Sequence, residues 1–153
     1  MEHIENNPYN APQSDVSIAN PNNGAKNFKR FSAWGVFGLT IITFGIYSIY
    51  WIYTRTTALN SFHNNKISIP LLNIFLVATI ASFVSGALDP NDQTQALISG
   101  LISIVYLVFY LIIIFSLHSR LAEICGEKFN AILTFFGGAI YLQYKINKSI
   151  DQN

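Results

Sequence analysis

The most constraining feature of this chain is a run of twenty-three residues without a charged side chain, from Phe31 to Tyr53. Three more stretches without Asp, Glu, Lys or Arg follow, at residues 67–88, 96–118 and 131–144. A helix needs about 20 predominantly apolar residues to cross a bilayer, and the first three stretches reach that length whereas the fourth does not. The sequence therefore predicts an all-α membrane protein, for which lipid is the main solvent.

Composition supports a membrane protein and reduces the range of possible partners. Hydrophobic residues make up 51% of the chain and charged residues only 11%, whereas charged residues are about 25% of a typical soluble domain. The formal charge of +1, without a basic cluster that carries stacking aromatics, excludes nucleic acid as a partner. Cys125 is the single cysteine, so no internal disulfide can form.

The chain divides into three parts. Residues 1–28 contain seven asparagines and three prolines and lack an apolar period, which predicts a disordered cytoplasmic tail. Residues 29–148 form the membrane domain, and residues 149–153 are the C-terminal end.

The positions of the nine Lys and Arg residues favour one threading through the bilayer. If all four apolar stretches cross, five positive charges lie inside and four outside. If stretches 67–88 and 96–118 span while 31–53 and 131–144 enter and leave on one side, all nine are cytoplasmic, and the outer loop 89–93 is acidic. Positive charge concentrates on cytoplasmic loops. We therefore expect two full spans, two re-entrant segments and cytoplasmic termini, with four full spans as the alternative.

Both proposed re-entrant stretches contain residues suited to a helix break. Thr43 and Gly45 lie in the middle of the first, and Gly137 and Gly138 in the middle of the fourth. Glycine adopts backbone angles that other residues avoid, and a neighbouring Thr hydroxyl can bond a carbonyl that the break releases. A straight helix in which Gly45 only packs is the alternative.

Small residues recur along the two expected spans at the spacing that lets helix backbones approach closely. All lie near the outer turn, so we expect the spans to touch there and to splay towards bulkier side chains such as Phe75 at the cytoplasmic end. These helix-packing residues are Ala78, Ser82, Gly86, Ala96, Ser99, Gly100 and Ser103.

Two further groups are candidate surfaces. Tyr47, Tyr50 and Tyr53 are three residues apart and therefore share a helical face, which suits either an interfacial anchor or a surface for a headgroup or partner helix. His118, Arg120 and Glu123 follow the third stretch. They form either an interfacial polar site or a helix end with an ion pair between Arg120 and Glu123.

Two motifs resemble those of a known family. The run Thr43–Trp51 (TFGIYSIYW) and the late run Ile140–Asn147 (IYLQYKIN) are similar to the signatures of the domain-of-unknown-function 4234 family of small bacterial inner-membrane proteins. The resemblance covers about residues 29–148. It implies a multi-pass protein of the bacterial inner membrane, and it brings no reaction, cofactor or catalytic residue.

The apolar stretches hold no Asp pair, Ser with a base or metal-binding His pair, so we expect neither an enzyme nor a bound cofactor or metal. Our leading hypothesis is a non-enzymatic inner-membrane protein that acts by protein–protein contact, as a regulatory, accessory or assembly partner of a membrane complex. Its partners would be the lipid bilayer and either a membrane protein or further copies of itself. The alternatives are an immunity protein against a membrane-directed toxin and a small oligomeric channel or transporter.

Overall fold

A computed structural model describes residues 21–87 and 92–152 of the protein. The predictions for residues 1–20 and for residues 88–91 of the acidic loop therefore lie outside the described residues. Across the described residues the chain is all-helical, with no strand, as the sequence predicts. Its elements are a 3-10 helix Pro21–Asn27, α1 Ala33–Ile42, α2 Ile46–Phe62, α3 Ile69–Gly86, α4 Gln93–Cys125 and α5 Ala131–Gln152.

Two helices, α3 and α4, are long and apolar enough to cross a membrane. The first residues of each helix are ones that favour a helix N-terminus. Pro70 lies in the first turn of α3, where its missing N–H costs nothing. Asp92 caps α4 by accepting from the backbone N–H groups of Thr94 and Gln95.

Three helices extend beyond the apolar stretches predicted from the sequence. The stretches end at residues 53, 118 and 144, whereas α2 ends at Phe62, α4 at Cys125 and α5 at Gln152. Each extension keeps apolar residues on one face, so it packs against the core while its polar face meets solvent. The apolar stretches therefore mark only part of each of these three helices.

The core lies around the C-terminal half of α4. Four α4 side chains, Ile113, Ile114, Leu117 and Leu121, have no exposed surface. Phe28 and side chains of α1, α2, α3 and α5 belong to the same core and are at most 3% exposed: Phe28, Val36, Trp51, Ile52, Leu59, Leu72, Phe75, Leu142 and Ile146.

The N-terminal half of α4 differs sharply, because no residue from Gln93 to Ile112 is fully buried. This part extends beyond the core and packs mainly on α3. Ser99 Oγ donates to the Ser85 carbonyl oxygen at 3.0 Å, and Phe75 stacks on Tyr106 with ring centroids 6.0 Å apart. The α3–α4 contact therefore continues past the outer end towards the core.

The predicted small-residue contact is only partly used. Ala78 is buried, and Ser82 and Ser99 are partly buried, but Gly86, Ala96, Gly100 and Ser103 are exposed. The helices are rotated so that Ser85, instead of Gly86, faces α4. The four exposed residues therefore form a small-residue surface that the described residues leave uncovered.

Residues 24–28 contact the helical core, within the segment that the sequence assigns to a disordered tail. Ala25 has no exposed surface and Phe28 is 3% exposed. The Phe28 ring contacts Phe62 edge-on at 5.2 Å. One aromatic side chain thus attaches this segment to the end of α2, a contact that asparagine-rich composition does not reveal.

Candidate functional site

The first apolar stretch breaks at the residues that its sequence indicates. Phe44 and Gly45 have φ angles of 51° and 91°, and Gly45 separates α1 from α2. The Thr43 hydroxyl donates to the Leu39 carbonyl at 2.7 Å and accepts from the Tyr47 backbone N–H at 2.9 Å. Thr43 therefore satisfies backbone groups on both sides of the break, which is the role that such a hydroxyl can fill at membrane depth.

An open cleft of about 470 Å³ lies beside this break. Its walls come from the break itself, from the second half of α3 and from α4. They combine small side chains with apolar rings: Phe44, Gly45, Ile49, Thr79, Ser82, Phe83, Gly86, Ala87 and Tyr106. A Cβ atom added at Gly86 would meet nothing within 4 Å. The cleft is therefore accessible, and two of the predicted helix-packing residues line it.

The predicted tyrosine stripe is divided between the core and the surface. Tyr47 is partly buried against Phe31, with ring centroids 6.1 Å apart, whereas Tyr50 and Tyr53 are exposed. Tyr47 and Tyr50 remain in contact at 5.8 Å. The outer two rings are therefore the part of the stripe that can meet lipid or another molecule.

The second break occurs at Gly138, which has φ 45° and ψ −126° inside α5. A Cβ atom there would lie 2.5 Å from the Tyr110 hydroxyl oxygen. At Gly137 the added atom would lie 2.8 Å from Tyr141 Cβ. Two observations thus favour glycine at position 138: its backbone angle strains other residues, and the Tyr110 side chain of α4 lies where a Cβ atom would be.

A buried polar network joins the two broken segments. Gln143, with no exposed surface, accepts through Oε1 from Trp51 Nε1 at 2.8 Å and from Arg55 Nη2 at 3.0 Å. Its Nε2 donates to Asn147 Oδ1 at 2.8 Å. Asn147 in turn donates to the Phe31 carbonyl at 2.7 Å. One amide therefore connects α2, α5 and the entry to α1.

Sequence reasoning did not identify this network. The available signal was Gln143 itself, which interrupts the apolar face formed by Ala139, Leu142 and Ile146. A polar residue on such a face needs partners, because burial of an unpaired amide is costly. Because Trp51 and Arg55 lie far from Gln143 along the chain, the sequence did not show that they would be its partners.

The interfacial polar candidates do not converge on one site. His118 Nδ1 lies 2.6 Å from Thr134 Oγ1, and the Arg120 guanidinium donates to the Asn65 carbonyl at 2.8 Å. Glu123 lies 3.5 Å from His63 Nε2. The ion pair expected between Arg120 and Glu123 is not among those of the described residues, since each side chain reaches the α2–α3 loop instead. These contacts hold the α2–α3 loop and α5 against α4.

A charged cluster closes the loop between α4 and α5. Glu127 accepts from Lys145 Nζ at 2.6 Å and from Lys148 Nζ at 2.9 Å. Hydrogen bonding from Lys145, and then from Lys148, lowers the pKa of Glu127. The same hydrogen bond to Glu127 raises the pKa of Lys145.

A metal-binding cluster or an exposed thiol would be a further kind of site among the described side chains. No group of three His, Cys, Asp or Glu side chains in 21–87 and 92–152 is placed to hold a metal ion. Cys125 is only 5% exposed. The polar residues described above bond mainly to one another and to backbone groups, so their arrangement supports the fold.

The sequence profile of the family described as "Domain of unknown function (DUF4234)" matches residues 31–152. The chain belongs to this family. The match includes both breaks, both long apolar helices and the Gln143 network, and it confirms the resemblance carried by the TFGIYSIYW and IYLQYKIN motifs. No curated protein and no solved structure matches the chain. Membership in DUF4234 therefore covers all of these helices, and it does not assign an activity to the chain.

Proposed function

We propose that this DUF4234 protein is an integral membrane protein of the bacterial inner membrane that acts by contact with another membrane helix, without catalysis. The apolar surface of α4 indicates that lipid, and not water, surrounds this helix. Eight large apolar side chains of α4 are each at least 44% exposed: Leu97, Ile98, Leu101, Ile104, Val105, Leu107, Val108 and Ile112. Full exposure of such a side chain to water costs about 1.5–3 kcal/mol. Since these side chains are roughly half exposed, the eight together cost about 6–12 kcal/mol, which is comparable to the whole stability of a small domain, about 5–15 kcal/mol. Lipid removes that cost.

The charge distribution orients the protein in the bilayer. With α3 and α4 as the two spans, the described Lys and Arg residues all lie on the side of the core, opposite the α3–α4 turn. That asymmetry favours a cytoplasmic core and cytoplasmic termini. α1 has ten residues, which is about 15 Å at 1.5 Å per residue, so the break at Gly45 would lie near mid-depth.

The observation that carries the contact function is the cleft beside Gly45. It is open, it lies at the depth of the bilayer in this orientation, and Ser82 and Gly86 form part of its wall. Small residues let a second helix approach closely where hydrophobicity alone cannot drive association. Because no residue in 21–87 or 92–152 covers Gly86, the expected occupant is one transmembrane helix of a partner protein.

Photo-crosslinking in living cells tests this assignment. Phe83 lines the cleft and is 49% exposed, whereas Phe136 is 82% exposed and lies on α5. Each is replaced by benzoylphenylalanine, a conservative change. We expect a discrete protein adduct from position 83 that is absent from position 136, and Gly86→Leu should suppress it by filling the cleft. Equal products at both positions, or no protein adduct at position 83, would contradict the proposal.

The adduct also separates the alternatives. An adduct of twice the chain mass indicates contact between two copies, and an adduct only with an externally added toxin indicates an immunity protein. A channel predicts solute flux in reconstituted vesicles. Thr43 would line its path, but its hydroxyl already bonds Leu39 and Tyr47, which favours contact over conduction.

A further inference from the structure

A second cleft, of about 710 Å³, lies between the start of α1 and the end of α5. Among its lining residues are two cations, Arg30 and Lys148, and two aromatic rings, Trp34 and Tyr144. None of these four side chains is fully buried. The cleft is therefore an accessible surface with both positive charge and aromatic area.

The two cations are held by partners that solvent can replace. Arg30 Nη1 lies 2.9 Å from Asp151 Oδ1, with the two side chains 66% and 49% exposed. Exposed pairs of this kind contribute little to stability, because water and salt screen them. Lys148 Nζ is 2.9 Å from Glu127 Oε1 and is 40% exposed, and Glu127 is also bonded by Lys145. Each cation can therefore gain an additional anionic ligand at small cost.

The aromatic rings place this charge at the level of lipid headgroups. Trp34 is 80% exposed although it is the second residue of α1, and Tyr144 is 54% exposed. Exposed Trp and Tyr concentrate where a membrane meets water. The N-terminal end of α1 also faces the cleft and adds partial positive charge. An anion bound there would have an apolar ring beside it, as a phospholipid requires.

We propose that this cleft binds the phosphate of an anionic phospholipid of the cytoplasmic leaflet. Arg30 donates to the phosphate oxygens as a fork, since guanidinium geometry matches phosphate. Lys148 supplies the second positive charge, and Trp34 contacts the glycerol and the first acyl carbons. The inference rests on the proposed membrane orientation. It goes beyond it by naming a ligand and the residues that recognise it.

Asp151 sets the strength of the site. Its carboxylate competes with the lipid phosphate for Arg30, so removal of that carboxylate should increase the affinity. Removing Arg30 or Lys148 should decrease it. A general surface charge would also respond in opposite directions to these two changes, so a site is distinguished only by a matched change of charge outside the cleft, which should have a much smaller effect.

The test uses the full chain in nonionic detergent micelles, titrated with phosphatidylglycerol or phosphatidylcholine of identical acyl chains. Bound lipid is counted by native mass spectrometry. Because Arg30 would donate charge-assisted hydrogen bonds to the lipid phosphate, Arg30→Gln should weaken phosphatidylglycerol binding about tenfold. It should leave the weaker binding of phosphatidylcholine, whose choline cation offsets the phosphate charge, nearly unchanged. Asp151→Asn should strengthen phosphatidylglycerol binding several-fold. Lys66→Gln is the control, since it removes the same charge from an exposed position outside the cleft.

Three results would overturn the inference: equal affinity of the wild type for both lipids, equal losses in Arg30→Gln and Lys66→Gln, or displacement by millimolar inorganic phosphate without a preference between the lipids. The last result would identify a soluble phosphate as the ligand. Carbonate extraction of native membranes gives a separate readout. Wild-type protein that stays in the membrane but lacks the lipid preference contradicts only this inference, whereas protein that is extracted contradicts the proposed function.

Discussion

The Gln143 amide offers the most quantitative test of how the two broken segments are held together. Gln143→Met keeps the length and unbranched shape of the side chain but removes its donor and acceptor. Trp51, which is 2% exposed, would then hold an indole N–H without its partner at 2.8 Å. Leaving such a buried donor unpaired costs about 1–3 kcal/mol.

The other two bonds of Gln143 add less. Arg55 and Asn147 are partly exposed, so water can replace the lost amide at each, at a cost of about 1 kcal/mol or less. We therefore expect Gln143→Met to lower the free energy of unfolding by about 2–4 kcal/mol, which is a large part of a typical domain's 5–15 kcal/mol.

The assay is reversible unfolding in detergent micelles, with Tyr144→Phe as the control. Tyr144 is adjacent but exposed, so its substitution should stay within about 0.5 kcal/mol of the wild type. Trp51→Phe removes the donor, so the double variant with Gln143→Met should be less destabilised than the two single changes predict, by about 1 kcal/mol. A Gln143→Met value within 0.5 kcal/mol of the wild type, or strict additivity, would refute the role assigned to the network.

Three further predictions concern the breaks and the charged loop. Gly45→Ala should destabilise the protein by about 1–2 kcal/mol, because φ is 91° there, whereas Gly38→Ala, which lies in helix with open space, should be neutral or stabilising in the same unfolding assay. Gly138→Ala should cost more than Gly45→Ala, because the added atom also clashes with α4; equal costs would contradict this. The hydrogen bond from Lys145 lowers the pKa of Glu127, so the ionised Glu127 stabilises the fold above the ordinary carboxyl pKa and this stabilisation is lost as pH falls through the lowered pKa. Glu127→Gln should therefore reduce the pH dependence of the free energy of unfolding between pH 6 and pH 3. An unchanged pH dependence would argue against this role of Glu127.

Features that depend on one residue type could be predicted from the sequence. Gly45 and Gly138 can adopt positive φ where other residues are strained, and uncharged runs of the length of 67–88 fit the bilayer. The breaks and the two long apolar helices follow from these properties alone. The family membership was recognisable from the motif around Gly45.

Features that depend on rotation or on distant partners could not be predicted. Ser85 and Gly86 are adjacent, and a rotation of α3 by about 100° decides which one faces α4. The burial of Gln143 and its bond to Trp51 were not predicted, since the two residues are ninety-two positions apart. The contact of Phe28 with Phe62 likewise arises from the tertiary fold.

The central claim is that two helices span the bilayer while both broken segments enter and leave it on the cytoplasmic side. Labelling with a membrane-impermeant maleimide tests it most directly. Native Cys125 is too deeply buried to report, so Cys125→Ser serves as background for Lys128→Cys in the α4–α5 loop and Gln93→Cys at the start of α4, both exposed positions. The account predicts that position 93 is labelled in intact spheroplasts and position 128 only after permeabilisation. Labelling of position 128 in intact spheroplasts would mean that the first or the fourth segment crosses the membrane, and it would contradict the account.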